Sequence, residues 1–445
     1  MDYVIMGGQL MLSLSILIVL HEMGHFFPAR WFNTRVEKFY LFFDPWFELF
    51  KYKRGDTEYG IGWLPLGGYV KISGMIDESF DSEQLAQEPQ PWEFRSKPAW
   101  QRLIIMLGGV TVNFILGFFL YGMVLWGWGE QYLPADKVQY GIYADSLGKE
   151  IGFQTGDKVL SVNGQPFEKF SDRVVVREII VNDAKEVKVE RGGNEVPIKI
   201  DEKWVTELSS YDNKGRGLFE ARFPFEIVQV VDGTPAEKAG LQAGDKIVGV
   251  NGKETPFINE PIRIIAKSKE KPVQLTVERN GQRTPITVTP SETGKIGIQF
   301  KGPQDFFGTE TDEYTLAEAL PEGVKQGWGF LTDQVKAFGQ IFAGKIKPQD
   351  SLGGFGSIGS MFGNEWQWER FWKMTAILSL ILAFMNLLPI PALDGGHVMF
   401  LLYEMVTGRK PSDKFLEVAT MIGFVIVLGL VLFANGADIY RAIFK

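Results

Sequence analysis

Apolar residues along this chain gather into four long runs, with one large polar stretch between the second and the third. Residues 103–129, 374–393 and 418–437 carry no charged side chain, and 3–29 holds only His21, Glu22 and His25 as ionisable groups. Each run has the roughly 20 residues that a helix needs to cross a hydrocarbon layer about 30 Å thick. One such run fits inside a large soluble core; four predict a polytopic α-helical membrane protein with four transmembrane helices. The first run lacks a basic start, and cleavage after it would remove its histidines, so it is expected to stay as a helix and not to act as a cleaved signal.

The basic residues that flank the runs predict an orientation. Arg30, Arg35 and Lys38 follow the first run, Arg95, Lys97 and Arg102 precede the second, and Arg409, Lys410 and Lys414 lie between the third and fourth. Loops rich in Lys and Arg stay on the cytoplasmic side, which puts both termini and the polar middle outside. Arg370, Lys373, Arg441 and Lys445 run against this trend.

The polar middle contains a repeat. "IGFQTGDKVLSVNG" (Ile151 to Gly164) returns as "AGLQAGDKIVGVNG" (Ala239 to Gly252), and "VKVERGGNEVPI" (Val187 to Ile198) as "LTVERNGQRTPI" (Leu275 to Ile286), both 88 residues on. Two blocks at one offset imply two copies of one fold. Each reads as short strands, with Asn163-Gly164 and Asn251-Gly252 suited to tight turns.

Other segments are less regular. "TLAEALPEGVKQGWGFLTDQVKAFGQIF" (Thr315 to Phe342) has helical spacing, with Trp328 and Phe330 suggesting a face near the membrane surface. "SLGGFGSIGSMFG" (Ser351 to Gly363) reads as a loop. "TEYGIGWLPLGGYVKISGM" (Thr57 to Met75) is strand-like with a bend at Pro65, and the acidic stretch from Asp77 to Glu93 reads as a solvated loop. The whole divides into 1–127, 128–220, 221–306, 307–371 and 372–445.

Composition excludes several functions. Among 445 residues, 46 Lys and Arg face 54 Asp and Glu, a net charge of −8, so no basic surplus points to nucleic acid. There is no cysteine, hence no disulfide and no thiolate metal site.

The chemistry is concentrated in "LIVLHEMGHFF" (Leu17 to Phe27). On a helix His21 and His25 lie one turn apart on one face, so both imidazoles can meet one metal, with Glu22 beside them as a base. A catalytic zinc takes three protein ligands. The third candidate lies in "NLLPIPALDGGHVMF" (Asn386 to Phe400), where Asp394 and His397, the chain's only other histidine, both stand at a membrane boundary. Chemistry alone does not separate them. From Tyr3 to His21 a helix rises about 27 Å, which brings the motif near the cytoplasmic face, where a third run going inward also ends.

"HEMGH", "NLLPIPALDGGH" and a PDZ-like pair, whose "GD-x-I-x-x-VNG" block stands in the second copy (Gly244 to Gly252), together resemble the site-2 protease family of intramembrane metalloproteases, of the bacterial regulator of sigma-E type. The resemblance spans nearly the whole chain. It implies two tandem PDZ-like domains outside the membrane, and His21, His25 and Asp394 as ligands of Zn2+, with Glu22 as general base. It also implies roles for Gly109 and Asn113 in the second run, and a membrane-associated β-hairpin around Gly67, Gly68 and Tyr69 that holds an unwound substrate. Asn386 is a further candidate for gripping substrate backbone. Pro28 departs from the family pattern, and is expected to end or kink the first helix early.

The implied setting is the bacterial inner membrane, with the site near its cytoplasmic face. The implied partners are the lipid bilayer, single-span membrane proteins already trimmed by another protease (an anti-sigma factor, or signal-peptide remnants) and peptide ends at the PDZ-like domains. The competing reading is a non-catalytic membrane scaffold that captures peptides through the PDZ pair; an intact Glu22 argues against it.

Overall fold

The computed structural model describes residues 2–65, 67–75, 88–213 and 215–444. It divides into two compact units, one of residues 1–129, 313–335 and 352–445, the other of 130–312 and 336–351. Most of the acidic stretch expected as a loop, its residues 77–87, lies outside the described residues.

In the first unit, α1 (Asp2–Trp31) is followed by strands β1 (Val36–Leu41), β2 (Phe43–Arg54), β3 (Thr57–Leu64) and β4 (Tyr69–Ile72), then α2 (Ala99–Trp128). The strands form one sheet in the order β2-β3-β1-β4, with β1 parallel to β3 and antiparallel to β4. The expected hairpin of Thr57 to Met75 is not formed: β1 lies between β3 and β4, so these two strands are members of one sheet but not partners. Alternation along Thr57 to Met75 reveals strands, but not that a third and fourth from further upstream join them. β4 is an edge. At the other edge β2 presents exposed Trp46, Phe47, Leu49 and Phe50.

Pro28 does not end α1, which continues to Trp31. A proline ring inside a helix crowds the carbonyl four residues back, here that of Gly24. That carbonyl leans onto Gly108 of α2, where any side chain would collide with it. Gly24 and Gly108 thus let two helix backbones touch, the packing that small residues permit between apolar helices.

Among the described residues three helices are long and apolar enough to cross a membrane: Tyr3–Trp31 within α1, Ala99–Trp128 and Asp413–Phe444. The remaining run, expected as a helix through residue 393, is broken. Helix α7 (Trp368–Asn386) stops at Asn386, because Pro389 and Pro391 have no N–H to continue its ladder. After an irregular passage, α8 (Asp394–Thr407) begins, and α9 (Asp413–Phe444) follows.

Before α7, the expected helix is present as α5 (Leu316–Phe342), whose Ala319 and Gly323 sit against Gly122 of α2. The glycine-rich segment is not a loop throughout: Phe355–Phe362 is a helix, α6. Its first turn is capped from a distance by α9. Asn435 accepts the Phe355 N–H at 3.1 Å, and Asp438 accepts the Ser357 N–H at 2.7 Å and its hydroxyl at 2.6 Å. Phe362 then packs with Leu10, Leu17, Phe371 and Leu378.

The second unit holds both repeats. In the first, β5 (Lys158–Val162), β6 (Gln165–Pro166), β7 (Glu186–Arg191) and β8 (Asn194–Lys199) form a sheet ordered β8-β7-β5-β6, with helix α3 (Asp172–Asn182) between β6 and β7 in the chain. In the second, β9 (Phe225–Val230), β10 (Lys246–Val250), β11 (Lys253–Glu254), β12 (Val273–Arg279), β13 (Gln282–Val288) and β14 (Ile298–Phe300) form a six-stranded sheet. Its order is β13-β12-β10-β9-β14, with β11 on β10, and helix α4 (Asn259–Lys267) stands where α3 does.

The repeat extends to side chains. Arg191 clamps Asp157 and donates to the Gly152 carbonyl; Arg279 does the same to Asp245 and the Gly240 carbonyl. Asn163 and Asn251 take positive φ (49° and 50°) in the matching turns, as the Asn-Gly dipeptides predict.

Candidate metal centre and active site

One turn of α1 brings His21 and His25 side by side, with ring centroids 4.9 Å apart and Nε2 atoms at 3.3 Å. Asp394, the first residue of α8, arrives from the other end of the chain. Its Oδ2 lies 3.4 Å from each Nε2. The approach depends on the two residues that follow it: side chains at Gly395 or Gly396 would strike the carbonyls of Leu387, Leu388 and Ile390. Those glycines let the passage after α7 fold back on the start of α8.

The three donor atoms make a nearly equilateral triangle. A tetrahedral zinc centre with bonds of about 2.0–2.2 Å has ligand–ligand edges of roughly 3.3–3.6 Å. The triangle therefore matches one face of such a centre and leaves the fourth corner open. Asp394 Oδ2 is moreover buried with no hydrogen-bond partner, a costly state that a cation relieves. The residues fit the metal. Among the described residues His21, His25 and Asp394 form the one group arranged to hold an ion, and His397, one turn into α8, does not join it.

Helix α2 contributes no ligand candidate yet touches both imidazoles. His25 Nδ1 donates to the Ile105 carbonyl at 2.8 Å, which leaves its Nε2 bare for a metal. The Asn113 amide lies 3.1 Å from His21 Nδ1. A metal on Nε2 requires the proton on Nδ1, and so the amide oxygen toward it; Asn113 Oδ1 is buried and otherwise without a partner. Ser379 of α7 fixes this turn of α2 by donating to the Asn113 carbonyl at 2.7 Å. A side chain at Gly109 would run into both histidine rings, so glycine is what allows them to lie on α2.

Glu22 is buried next to the triangle, and its carboxylate accepts the Val70 N–H from β4. Gly68 lies against Ile18 and Glu22 of α1, and Gly67 against the Phe43 ring. Tyr69 turns away: its hydroxyl donates to Asp44 at 2.8 Å, and its ring stacks on Tyr40 and Phe43. Burial and the Asp44 carboxylate push that hydroxyl's pKa up, so it stays a donor. From the third run, Asn386 brings its side-chain nitrogen within 3.3 Å of His21 Nε2.

His21, Glu22, His25, Asn113, Asn386 and Asp394 thus converge, with Gly67 and Gly68 alongside Glu22. Sequence reasoning missed the Ile105 carbonyl and the Val70 N–H, because a backbone partner leaves no mark in residue type. It also missed the pairing of Arg102, whose guanidinium is buried in the first turn of α2 and meets Glu404 of α8 at 2.5 Å; an arginine immediately before an uncharged run was the available signal.

Comparison with known proteins adds the lineage. The model of peptidase family M50 matches residues 9–430. The chain is similar to the regulator of sigma E protease of Haemophilus influenzae, 28 % identical over 463 residues that cover 98 % of each chain. It is also similar to the regulator of sigma-E protease RseP of Escherichia coli, 30 % identical over 452 residues, 96 % of this chain and 97 % of that one. The chain belongs to peptidase family M50, the site-2 protease family, and is a zinc metalloendopeptidase.

Proposed function

We propose that this enzyme cuts within the transmembrane segments of single-span membrane proteins already trimmed by another protease, of the anti-sigma-factor type or signal-peptide remnants. The observation that carries the reading is the three-donor triangle on apolar helices with Glu22 at its side. Chemistry that needs water stands at membrane depth because the bond to be cut lies there.

Bound at His21, His25 and Asp394, zinc supplies Lewis acidity toward a carbonyl and lowers the pKa of water. Glu22 takes the proton from the attacking water and returns it to the leaving amine. The Val70 N–H holds the carboxylate in place for both transfers. Among the described residues β4 pairs only with β1, which leaves its outer edge for an extended segment, and strand addition there brings a substrate backbone past Glu22. The Asn386 amide is in position to donate to the carbonyl being cut.

The proposed setting is the bacterial inner membrane, with α7 as a fourth span and the sheet dipping its exposed Trp46, Phe47 and Phe50 into the lipid. The repeats act as PDZ-like domains and screen out substrates with bulky outer domains.

The test is cleavage of a tagged, pre-trimmed single-span substrate in detergent by the intact protein and by Glu22→Gln. Loss of about 100-fold or more in the variant, with zinc still bound, is expected. Equal rates would remove Glu22 from its role. Unchanged preference for trimmed substrates after deletion of residues 130–306 would sink the screening role.

A further inference from the structure

We infer that Arg102, acting through Glu404, is a positioning residue for Asp394. The inference rests on the reading of Asp394 as a metal ligand and extends it to residues that touch no ligand.

The argument starts from how α8 is held. Val398 and Leu401 pack with Ala29, Val36, Ile72, Phe94, Ile105 and Met106, while Met399, Leu402, Tyr403, Met405 and Val406 are exposed. A narrow apolar stripe fixes which face of a helix turns inward. It is non-directional, though, and resists sliding along the axis poorly. The Arg102–Glu404 pair supplies what the stripe lacks. Arg102 is 6 % exposed; its Nη2 meets Glu404 Oε1 at 2.5 Å, and its Nε is spent on the Lys97 carbonyl at 2.9 Å. The guanidinium is thus held from two sides and gives Glu404 one place to be.

Glu404 is ten residues from Asp394, about 15 Å along one stiff helix. Displacement at one end is displacement at the other. Ligand distances tolerate only about 0.2 Å, so a slip of an ångström at Glu404 takes Asp394 Oδ2 out of the triangle.

Arg102 is also in register with the rest of the site. Arg102, Ile105, Gly109 and Asn113 follow each other at spacings of three and four, along one face of α2. Ile105 orients His25, Asn113 orients His21, Gly109 admits both rings, and Arg102 sets the helix that begins with Asp394. One face of one helix gauges all three donors.

The test uses the full-length protein in detergent, loaded with zinc or with Co2+ as a spectroscopic substitute. Glu404→Gln should lose zinc to a chelator about 10–100-fold faster than the parent, on the scale set by loss of a ligand's direct outer partner, and should change the visible Co2+ spectrum. Glu404→Asp should fall between. The exchanged pair, Arg102→Glu with Glu404→Arg, should recover part of the loss; it also tests the pair should Glu404→Gln fail to fold.

Glu93→Gln is the control. It breaks another buried pair, with Arg95 at 2.6 Å, that lies on neither α2 nor α8. It should lower the melting temperature and leave zinc release and the Co2+ spectrum unchanged. Parental release and spectrum in Glu404→Gln, or the same changes in Glu93→Gln, would overturn the inference. Asp394→Asn in the same assay separates the two levels: if it too keeps the metal, the ligand reading itself fails.

Discussion

Asp245, in the second repeat, accepts Arg279 Nε at 2.6 Å, Nη2 at 2.7 Å and the Gln242 N–H at 2.8 Å. Asp394, in the other unit, has an equally buried oxygen with only imidazole nitrogens near it and no hydrogen bond. Asp245 has left water altogether, and Asp394 has done so at Oδ2 while its side chain stays 15 % exposed. The first is surrounded by donors from its own repeat, and Asp157 has the same set from the other copy. Such a group serves the fold. The second is left short of donors by a protein that elsewhere supplies them, and that shortage points to a cation. Partner count, more than burial, separates a structural acid from a ligand.

The comparison can be broken by substitution. Asp394→Asn should lower zinc retention by more than about 100-fold and remove cleavage, while the metal-free protein melts no lower than the parent, since a carboxylate oxygen buried without a hydrogen bond has lost its charge. A marked loss of metal-free stability would make Asp394 another structural acid. Asp245→Ala should do the reverse. It should cost the second repeat about 3 kcal/mol, read as faster amide hydrogen exchange across β10 and β12 in the intact protein, with zinc retention unchanged.

The smallest effect belongs to Asp145, an acid of the first repeat that meets Arg263 of α4 in the second at 2.9 Å and is only partly buried. Hydrogen bonding from Arg263 holds the Asp145 carboxyl below its ordinary range, against the opposing effect of burial. The folded state therefore binds that proton more weakly than the unfolded chain does. The pair's contribution is full above about pH 4 and disappears as the pH falls further. Water screens the pair, so Arg263→Ala should cost under about 1 kcal/mol, and the difference between variant and parent should vanish in acid. A difference that persisted at pH 2 would assign the effect to packing of the arginine on Tyr143.

Much of this was legible in the sequence because it depends on short periods. Two histidines four apart must share a helix face, and blocks repeating at a fixed offset must share a fold. What stayed hidden depends on residues far apart. Helix α6 could not be read from a glycine-rich segment, because Asn435 and Asp438, some 80 residues on, complete its first turn. The β2-β3-β1-β4 order was hidden because alternation marks strands and not their neighbours. The end of α7 at Asn386 was half visible: Pro389 and Pro391 announced a break, while the apolar run hid where it falls.

The division of the metal site between the two ends of the chain has a consequence for biosynthesis. Asp394 is made more than 360 residues after His21 and His25. At about 5–20 residues per second, the two histidines wait roughly twenty seconds to over a minute for the third donor. Until then Glu22 has no complete centre to serve. A chain that stops before Asp394 is therefore expected to be inert toward the membrane proteins around it, with the capacity to cut arising only once that residue has been made.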